Sequence, residues 1–452
     1  MTRAEKRALK NQTRNAIKEF LKIQAHYFPD LIDDIKSVMD NRNQSYITYE
    51  IEVIIFVMIL KNICSIESMQ EMNESFNEDT CVQNIYRVLG LKEKDYLPHY
   101  VTINECLSKL DNEELEKVRK KMINGIIRKR SFEYGKFLGK EWLVIVDATQ
   151  LFCFKERHCE HCLTKTVNRG TSEEKTIYYH QVLEAKLVLG DDIVISLATE
   201  FIENPKANAS KQDCELTSFK RLAETVKKEY PRLPICLLAD SLYANDSVFQ
   251  ICRKNKWDFL IRFKEGSIPS VMEEYREIVN MGEQGEKLLE KEEIYRRKPN
   301  LKQKLQMRWV NGIVYKKKPI HVLELKIERA AKTYQQFTWL SSIEIHGEVV
   351  EEIVKTGRKR WLIENEGFNI QKNHRYMITH ANSLDYNAMK NHYLITQLAD
   401  ILMQLYENSE HGVKELKYTI KKIAEELLES LRKQNLESED LEFDKIQIRR
   451  SS

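Results

Sequence analysis

The chain has 452 residues, 42% of them apolar and 31% charged, with 72 Lys+Arg against 69 Asp+Glu. That length holds two or three domains with well-formed cores, and only 14 Gly and 8 Pro argue against long flexible linkers. A formal charge of +3 does not demand a nucleic-acid partner, and it allows one if the basic residues cluster.

They do cluster at the N-terminus, where Arg3, Lys6, Arg7, Lys10, Arg14, Lys18 and Lys22 stand against Glu5 and Glu19. A solvated helix face and a phosphate-contacting arm both fit. The segment lacks the apolar core of a secretory signal. The longest apolar run, Val53–Leu60, is far too short to span a bilayer. A cytoplasmic protein with no membrane partner is therefore expected, and its nine Cys read as buried thiols or metal ligands rather than disulfides.

Residues 1–135 read as an all-α N-terminal domain. Ile17, Phe20 and Leu21 have helical spacing, and Ile51, Ile54, Ile55, Met58 and Ile59 continue it. Asp111 to Glu114 place acids in the first turn of a further helix. The composition changes at Trp142. Trp142–Val146 is a buried strand that ends in Asp147, and strands over Tyr178–Leu189 and Ile193–Ala198 follow. A helix over residues 213–229 leads to Ile235–Ala239, a buried strand ending in Asp240. Asn245–Asn255 is a helix and Asp258–Phe263 a fifth strand. The order β-β-β-α-β-α-β is that of an α/β, RNase H-like mixed sheet flanked by helices. No Gly-x-Gly-x-x-Gly follows the first strand, which argues against a doubly wound dinucleotide fold.

The core reads as two parts, residues 140–265 and 351–406, separated by a mostly β insertion over residues 266–350. The insertion carries Trp309 and Trp339 with Lys316, Lys317 and Lys318 between them. Core packing and stacking on an unpaired base are both open to the two Trp. Residues 407–452 read as a charged helical tail.

Asp147 and Asp240 stand where open sheets bind ligands. If their strands are neighbours, the two carboxylates repel unless a divalent cation lies between them. Mg²⁺, or Mn²⁺ in its place, suits such oxygen donors. Downstream, Arg358 to Lys372 puts cations around Glu364, with Arg360, Glu364 and Gln371 on one helix face. Glu364 is the third acid of a set that can hold two ions for phosphoryl transfer. Glu366 is its rival, and a plain i,i+4 ion pair between Arg360 and Glu364 is the bland alternative.

On these residues the chain resembles the DDE transposases of bacterial insertion sequences, in the IS4-like group with a β insertion in its catalytic core. Val146-Asp147-Ala148-Thr149 matches the first motif and Ala239-Asp240-Ser241-Leu242-Tyr243-Ala244 the second, while Lys264 lies where the group has a basic strand. The third motif, Tyr-x2-Arg-x3-Glu-x6-Lys, is met by Arg360 and Glu364. Gly357 replaces its Tyr, and Gln371 occupies the Lys position with Lys372 one residue late. The resemblance implies that Asp147, Asp240 and Glu364 hold metal. It implies DNA contacts from Arg358, Arg360, Lys372 and Lys264, and recognition of terminal inverted repeats by the N-terminal helices. It also implies joining of a 3′-OH to target DNA, action as at least a homodimer on DNA, and a nucleoid-associated site in the cell. A nuclease without strand transfer and a domesticated DNA-binding protein are the alternatives.

A second cluster stands apart. His158-Cys159-x2-Cys162, with His180 nearby in sequence and Cys153 and His161 in reserve, offers ligands for a structural Zn²⁺. Reduced Cys and solvated His are the other reading.

Overall fold

The computed structural model describes residues 14–190, 193–206, 211–282, 287–294, 302–329, 334–409 and 413–441. Of the N-terminal cations, Arg3, Lys6, Arg7 and Lys10 lie outside them.

Seven helices come first: α1 (Ala16–Tyr27), α2 (Leu31–Lys36), α3 (Ile51–Ile63), α4 (Met69–Phe76), α5 (Asp79–Leu89), α6 (Tyr100–Lys109) and α7 (Asn112–Lys129). Asp111 caps α7 by accepting from the Glu113 amide. Helix α3 is buried on every side, as its nearly unbroken apolar sequence requires. Its one cation, Lys61, is also buried and donates to the Ile66 carbonyl at 2.8 Å.

The sheet follows, with β1 (Trp142–Phe154), β2 (Leu163–Val167), β3 (Lys175–Val188), β4 (Val194–Ile202), α8 (Glu215–Glu229), β5 (Ile235–Ala239), α9 (Asp246–Asn255) and β6 (Asp258–Arg262). Strand β3 is antiparallel to β1 and β4, β5 is parallel to β1, and β6 is parallel to β5. The spatial order β4-β3-β1-β5-β6 is the RNase H-like core. Period-two alternation decides what each face buries. Leu143, Ile145, Cys236, Leu238 and Leu260 face one cluster. Trp142, Val144, Val146, Ile235, Leu237 and Ala239 face another, which takes in the N-terminal helices.

Next come α10 (Pro269–Asn280), β7 (Lys287–Ile294), β8 (Lys302–Tyr315), β9 (Lys318–Arg329) and β10 (Tyr334–Ser341). Strand β10 pairs antiparallel with β6, so the inserted strands continue the core sheet in the order β6-β10-β9-β8-β7. They do not form a sheet of their own.

The chain then returns through α11 (Val350–Arg358), a π-helical stretch (Ile363–Asn369), α12 (Ile370–Asn373), α13 (Tyr386–Asn408) and α14 (Ile420–Lys433). Helix α13 packs on α3, α6 and α7. Asn391 on α13 donates to the Leu107 and Leu110 carbonyls at 2.8 and 2.9 Å, satisfying the end of α6. Part of the charged helical tail packs on the N-terminal helices. Ile423, Leu427 and Leu431 of α14 are buried, and Asn84 of α5 donates to the Leu431 and Gln434 carbonyls, each at 2.8 Å. Arg14 pairs with Glu19, and Lys18 with Asp440, so these two cations are engaged within the fold. Among the described residues, no helix is long and apolar enough to cross a membrane.

Candidate active site

Strand β1 does not end at Asp147; it runs on to Phe154 beside β3. What ends there is its pairing with β5. The last parallel partners are Ile145 and Leu238, so Asp147 and Asp240 stand two residues further along neighbouring strands, level with each other. Asp240 leaves β5 as the cap of a short turn and accepts from the Leu242 amide at 2.8 Å. Asp147 accepts from the Ala148 amide at 2.9 Å.

Glu364 arrives on the far-returning helical segment, which Leu362, Ile363 and Phe368 anchor to the same sheet face as Leu143 and Ile145. Arg360 joins the acids: its Nη2 lies 2.6 Å from Glu364 Oε1 and its Nη1 3.5 Å from Asp147 Oδ2. The i,i+4 ion pair exists, and it is one arm of a bridge into the site. Glu366 instead lines a cavity with Arg375, Asp400 and Glu407.

Burial, above all, pushes the Asp147 carboxyl up to about 7 against the pull of Arg360, and the nearby Glu215 and Glu364 carboxylates add to the rise. Glu215, the first residue of α8, escaped the reading of the sequence. Its own carboxyl is raised by burial and by Asp240, and opposed by the Tyr243 hydroxyl that donates to it at 2.7 Å. Glu215 thus links the two aspartates: it acts on Asp147, as Glu364 does, and Asp240 acts on it, where the pairing of β1 with β5 stops. Carboxylate oxygens are the donors a hard divalent cation takes, although among the described residues the three ligand atoms that lie within 4.8 Å of one another belong to Cys159, Cys162 and His180 and not to these acids.

Residues 139–400 match the family described as "Transposase DDE domain". The chain belongs to this family of DDE transposases. Residues 32–122 match a second family, described as "DDE_Tnp_1-associated". No curated protein matches the chain. A cryo-EM structure of the piggyBac transposase synaptic complex with hairpin DNA is similar to the chain with a TM-score of 0.42 at 12% identity, over 93% of this chain and 81% of that one. The family match alone carries the assignment.

The irregular third motif of this DDE transposase has a physical account. Residues 363–369 form a π-helix, whose i→i+5 turns hold one residue more than α-helical turns. Lys372 lies eight residues after Glu364, and the π-helix lets it complete the roughly two turns that seven residues span in an α-helix. Lys372 is half-buried and interacts electrostatically with Asp147, while burial lowers its pKa. Gln371, at the expected Lys position, is fully buried and donates to Asp400 Oδ2 at 2.9 Å and Gln397 Oε1 at 3.1 Å. Gly357, at the expected Tyr position, is there for a packing reason. A Cβ on it would lie 2.6 Å from Cε2 of Trp339.

That contact also corrects an expectation. Trp339 and Trp309 are both buried in the apolar cluster, so neither offers a face to a base. Trp339 packs between Gly357 and the guanidinium of Arg262. Trp361, three residues before Glu364, is exposed instead, at 47%. Arg358 and Lys264 are exposed, but the basic residue of β6 that senses the site is Arg262, held down at about 10 by burial and by Arg360. Of the expected zinc ligands, Cys159, Cys162 and His180 converge. His158 stands outside the group and places Nε2 2.6 Å from the Leu384 carbonyl oxygen.

Proposed function

We propose that this DDE transposase cuts DNA at the ends of an insertion sequence of the IS4-like group and joins the freed 3′-OH to target DNA, with Asp147, Asp240 and Glu364 as its metal-binding triad. The observation that supports this most is the level placement of Asp147 and Asp240 on adjacent parallel strands, with Arg360 linking Asp147 to Glu364. Mg²⁺ or Mn²⁺ ions bound by these acids, with Glu215 beside them, would supply Lewis-acid polarisation and an activated nucleophile for in-line displacement.

The chain's own residues do the rest. Asp147 must be ionised to hold a cation, and Arg360 favours that ionised form. When substrate enters, Arg360 and Lys372 are placed to pair with the phosphate at the scissile bond, which positions the strand without reading its sequence. Trp361, exposed three residues before Glu364, offers an aromatic face to an unstacked base. The N-terminal helices and exposed Lys316, Lys317 and Lys318 at the β8–β9 turn would contact the terminal inverted repeats. A homodimer on DNA would bring the two ends together.

A strand-transfer assay with pre-cut ends and a target plasmid tests the reading. Joined product that disappears in Asp147→Ala is expected. Cleavage without joining would replace strand transfer with simple hydrolysis. Unchanged cleavage in Asp147→Ala would remove Asp147 from the site.

A further inference from the structure

Three side chains at the other end of the β1–β3 pairing, beyond Asp147, form a site of a different chemistry. Cys159 and Cys162 lie on the loop between β1 and β2, and His180 lies on β3. The two Sγ atoms are 3.7 Å apart, and each is 3.5 Å from His180 Nε2. Zinc–sulfur bonds of about 2.3 Å and zinc–nitrogen bonds of about 2.0–2.1 Å, set at tetrahedral angles, require edges of about 3.8 Å between sulfurs and about 3.6 Å from sulfur to nitrogen. The observed triangle has those edges to within about 0.1 Å, whereas a disulfide would need sulfurs at about 2.05 Å.

The surroundings suit thiolate ligands. The Cys159 amide points at Cys162 Sγ from 3.4 Å, so one ligand sulfur already accepts a backbone donor. The His180 ring is fixed by stacking on Tyr386, with centroids 4.4 Å apart, and Tyr386 is itself fixed by donating to Glu203 at 2.6 Å. Cys162 and His180 are buried while Cys159 is half-exposed, which leaves an entry path from solvent. Residues 155–161 are exposed or half-exposed and form no strand or helix. The loop is tied down by side chains on either side of the sulfurs: His158 meets the Leu384 carbonyl, His161 Nδ1 lies 2.9 Å from the Asn204 carbonyl oxygen and its ring stacks on Tyr386, and Asn204 donates to the Cys162 carbonyl at 3.0 Å.

We propose that Cys159, Cys162 and His180 bind a structural Zn²⁺ that staples the β1–β2 loop to β3. His158 is left out of this ligand set because it is held to the Leu384 carbonyl. This site does not depend on the active-site reading, and its test does not use DNA.

The full chain, purified without chelator and dialysed after zinc supplementation, is measured for metal by mass spectrometry. About one zinc per chain is expected, falling at least about tenfold in the Cys159→Ser/Cys162→Ser double variant. It should persist in Cys153→Ser/Cys214→Ser, which alters the two exposed thiols, and in His158→Ala. Cobalt added to the wild-type chain should give tetrahedral visible bands with thiolate charge transfer, a readout that stands even where a variant fails to fold. A wild-type chain without zinc, one without the thiolate–cobalt signature, or one with Cys159 and Cys162 joined as a disulfide would overturn the proposal. Loss of zinc in His158→Ala would overturn the three-ligand set.

Discussion

The Arg360 guanidinium lies 3.5 Å from Asp147 and reaches Glu364 with its other nitrogen, so one cation spans two acids delivered by distant parts of the chain. Such a residue can release the acids to metal ions and turn to a phosphate when substrate binds. Arg360→Ala should therefore lower single-turnover DNA cleavage by about 10²-fold, the scale set by loss of one hydrogen-bond donor to developing transition-state charge. Because Glu364 is 52% exposed, that arm of the bridge is screened and should contribute less than about 1 kcal/mol to the unfolding free energy. Arg360→Lys should recover only part of the rate, since a point charge cannot fork between two oxygens. Cleavage within twofold of wild type in Arg360→Ala would show that the bridge is only structural.

The π-helix makes Gln371 and Lys372 separable. Gln371 is buried in a network with Gln397 and Asp400, so Gln371→Leu should cost about 1–3 kcal/mol by leaving the Asp400 carboxylate short of a donor. Cleavage by the folded variant should stay near wild type. Lys372→Ala should do the reverse, with stability within about 0.5 kcal/mol and DNA cleavage clearly reduced. Denaturant unfolding and cleavage measured on both variants check the pair. Equal effects on both readouts would mean that the helix does not phase Lys372 toward Asp147.

What could be read in the sequence follows from what is local. Asp147 and Asp240 were legible because each closes an apolar run, and a strand buried on both faces has that signature without knowledge of its neighbours. The RNase H-like order was legible for the same reason. The joining of the insertion to the core sheet was not, because β10 finds β6 across about 80 residues of chain and nothing in either strand names its partner. Glu215 was invisible because an acid in a helix's first turn is common on dipole grounds alone. Trp339 and Gly357 are conspicuous in sequence, yet only the fold shows that they explain each other. The one-residue delay of Lys372 was the sole trace of the π-helix.

Gly357 carries the next prediction. Gly357→Ala gains about 1 kcal/mol of helix propensity, but its methyl would lie 2.6 Å from Trp339 Cε2 and 2.7 Å from Nε1. Trp339 is pinned between strands and cannot yield cheaply, so overpacking of about 1–3 kcal/mol should win. A lowered urea midpoint is expected, with partial rescue when Trp339→Phe is added. A raised midpoint in Gly357→Ala would show that the ring moves freely.

His392 sets a pH dependence. It is buried on α13 and donates from Nε2 to Asn104 Oδ1 at 2.7 Å. Burial, with Lys61 adding to it, holds its pKa down at about 3. The unfolded chain takes up the proton first, near pH 6.5, so this contribution is fully present above that pH and is lost as pH falls toward about 3. Between pH 7 and 5 the loss should be about 1–2 kcal/mol. His392→Gln should flatten that part of the stability profile, as read from urea unfolding at the two pH values. An unchanged slope would place the acid sensitivity elsewhere.

Glu215 offers the sharpest test of the site's composition. Its carboxylate acts on both Asp147 and Asp240 and is fixed by the Tyr243 hydroxyl. If it helps to hold a divalent ion, directly or through the ion's water, Glu215→Gln should weaken Mg²⁺ or Mn²⁺ dependence by about 10-fold or more, the scale of outer-partner loss at metal sites. Cleavage should then fall at limiting ion and recover at high ion. Asp147→Ala, which removes a principal ligand, should not recover. Tyr243→Phe, which frees Glu215 without removing its charge, should shift the titration less. An ion titration of Glu215→Gln that overlays wild type would leave Asp147, Asp240 and Glu364 to hold the ions alone.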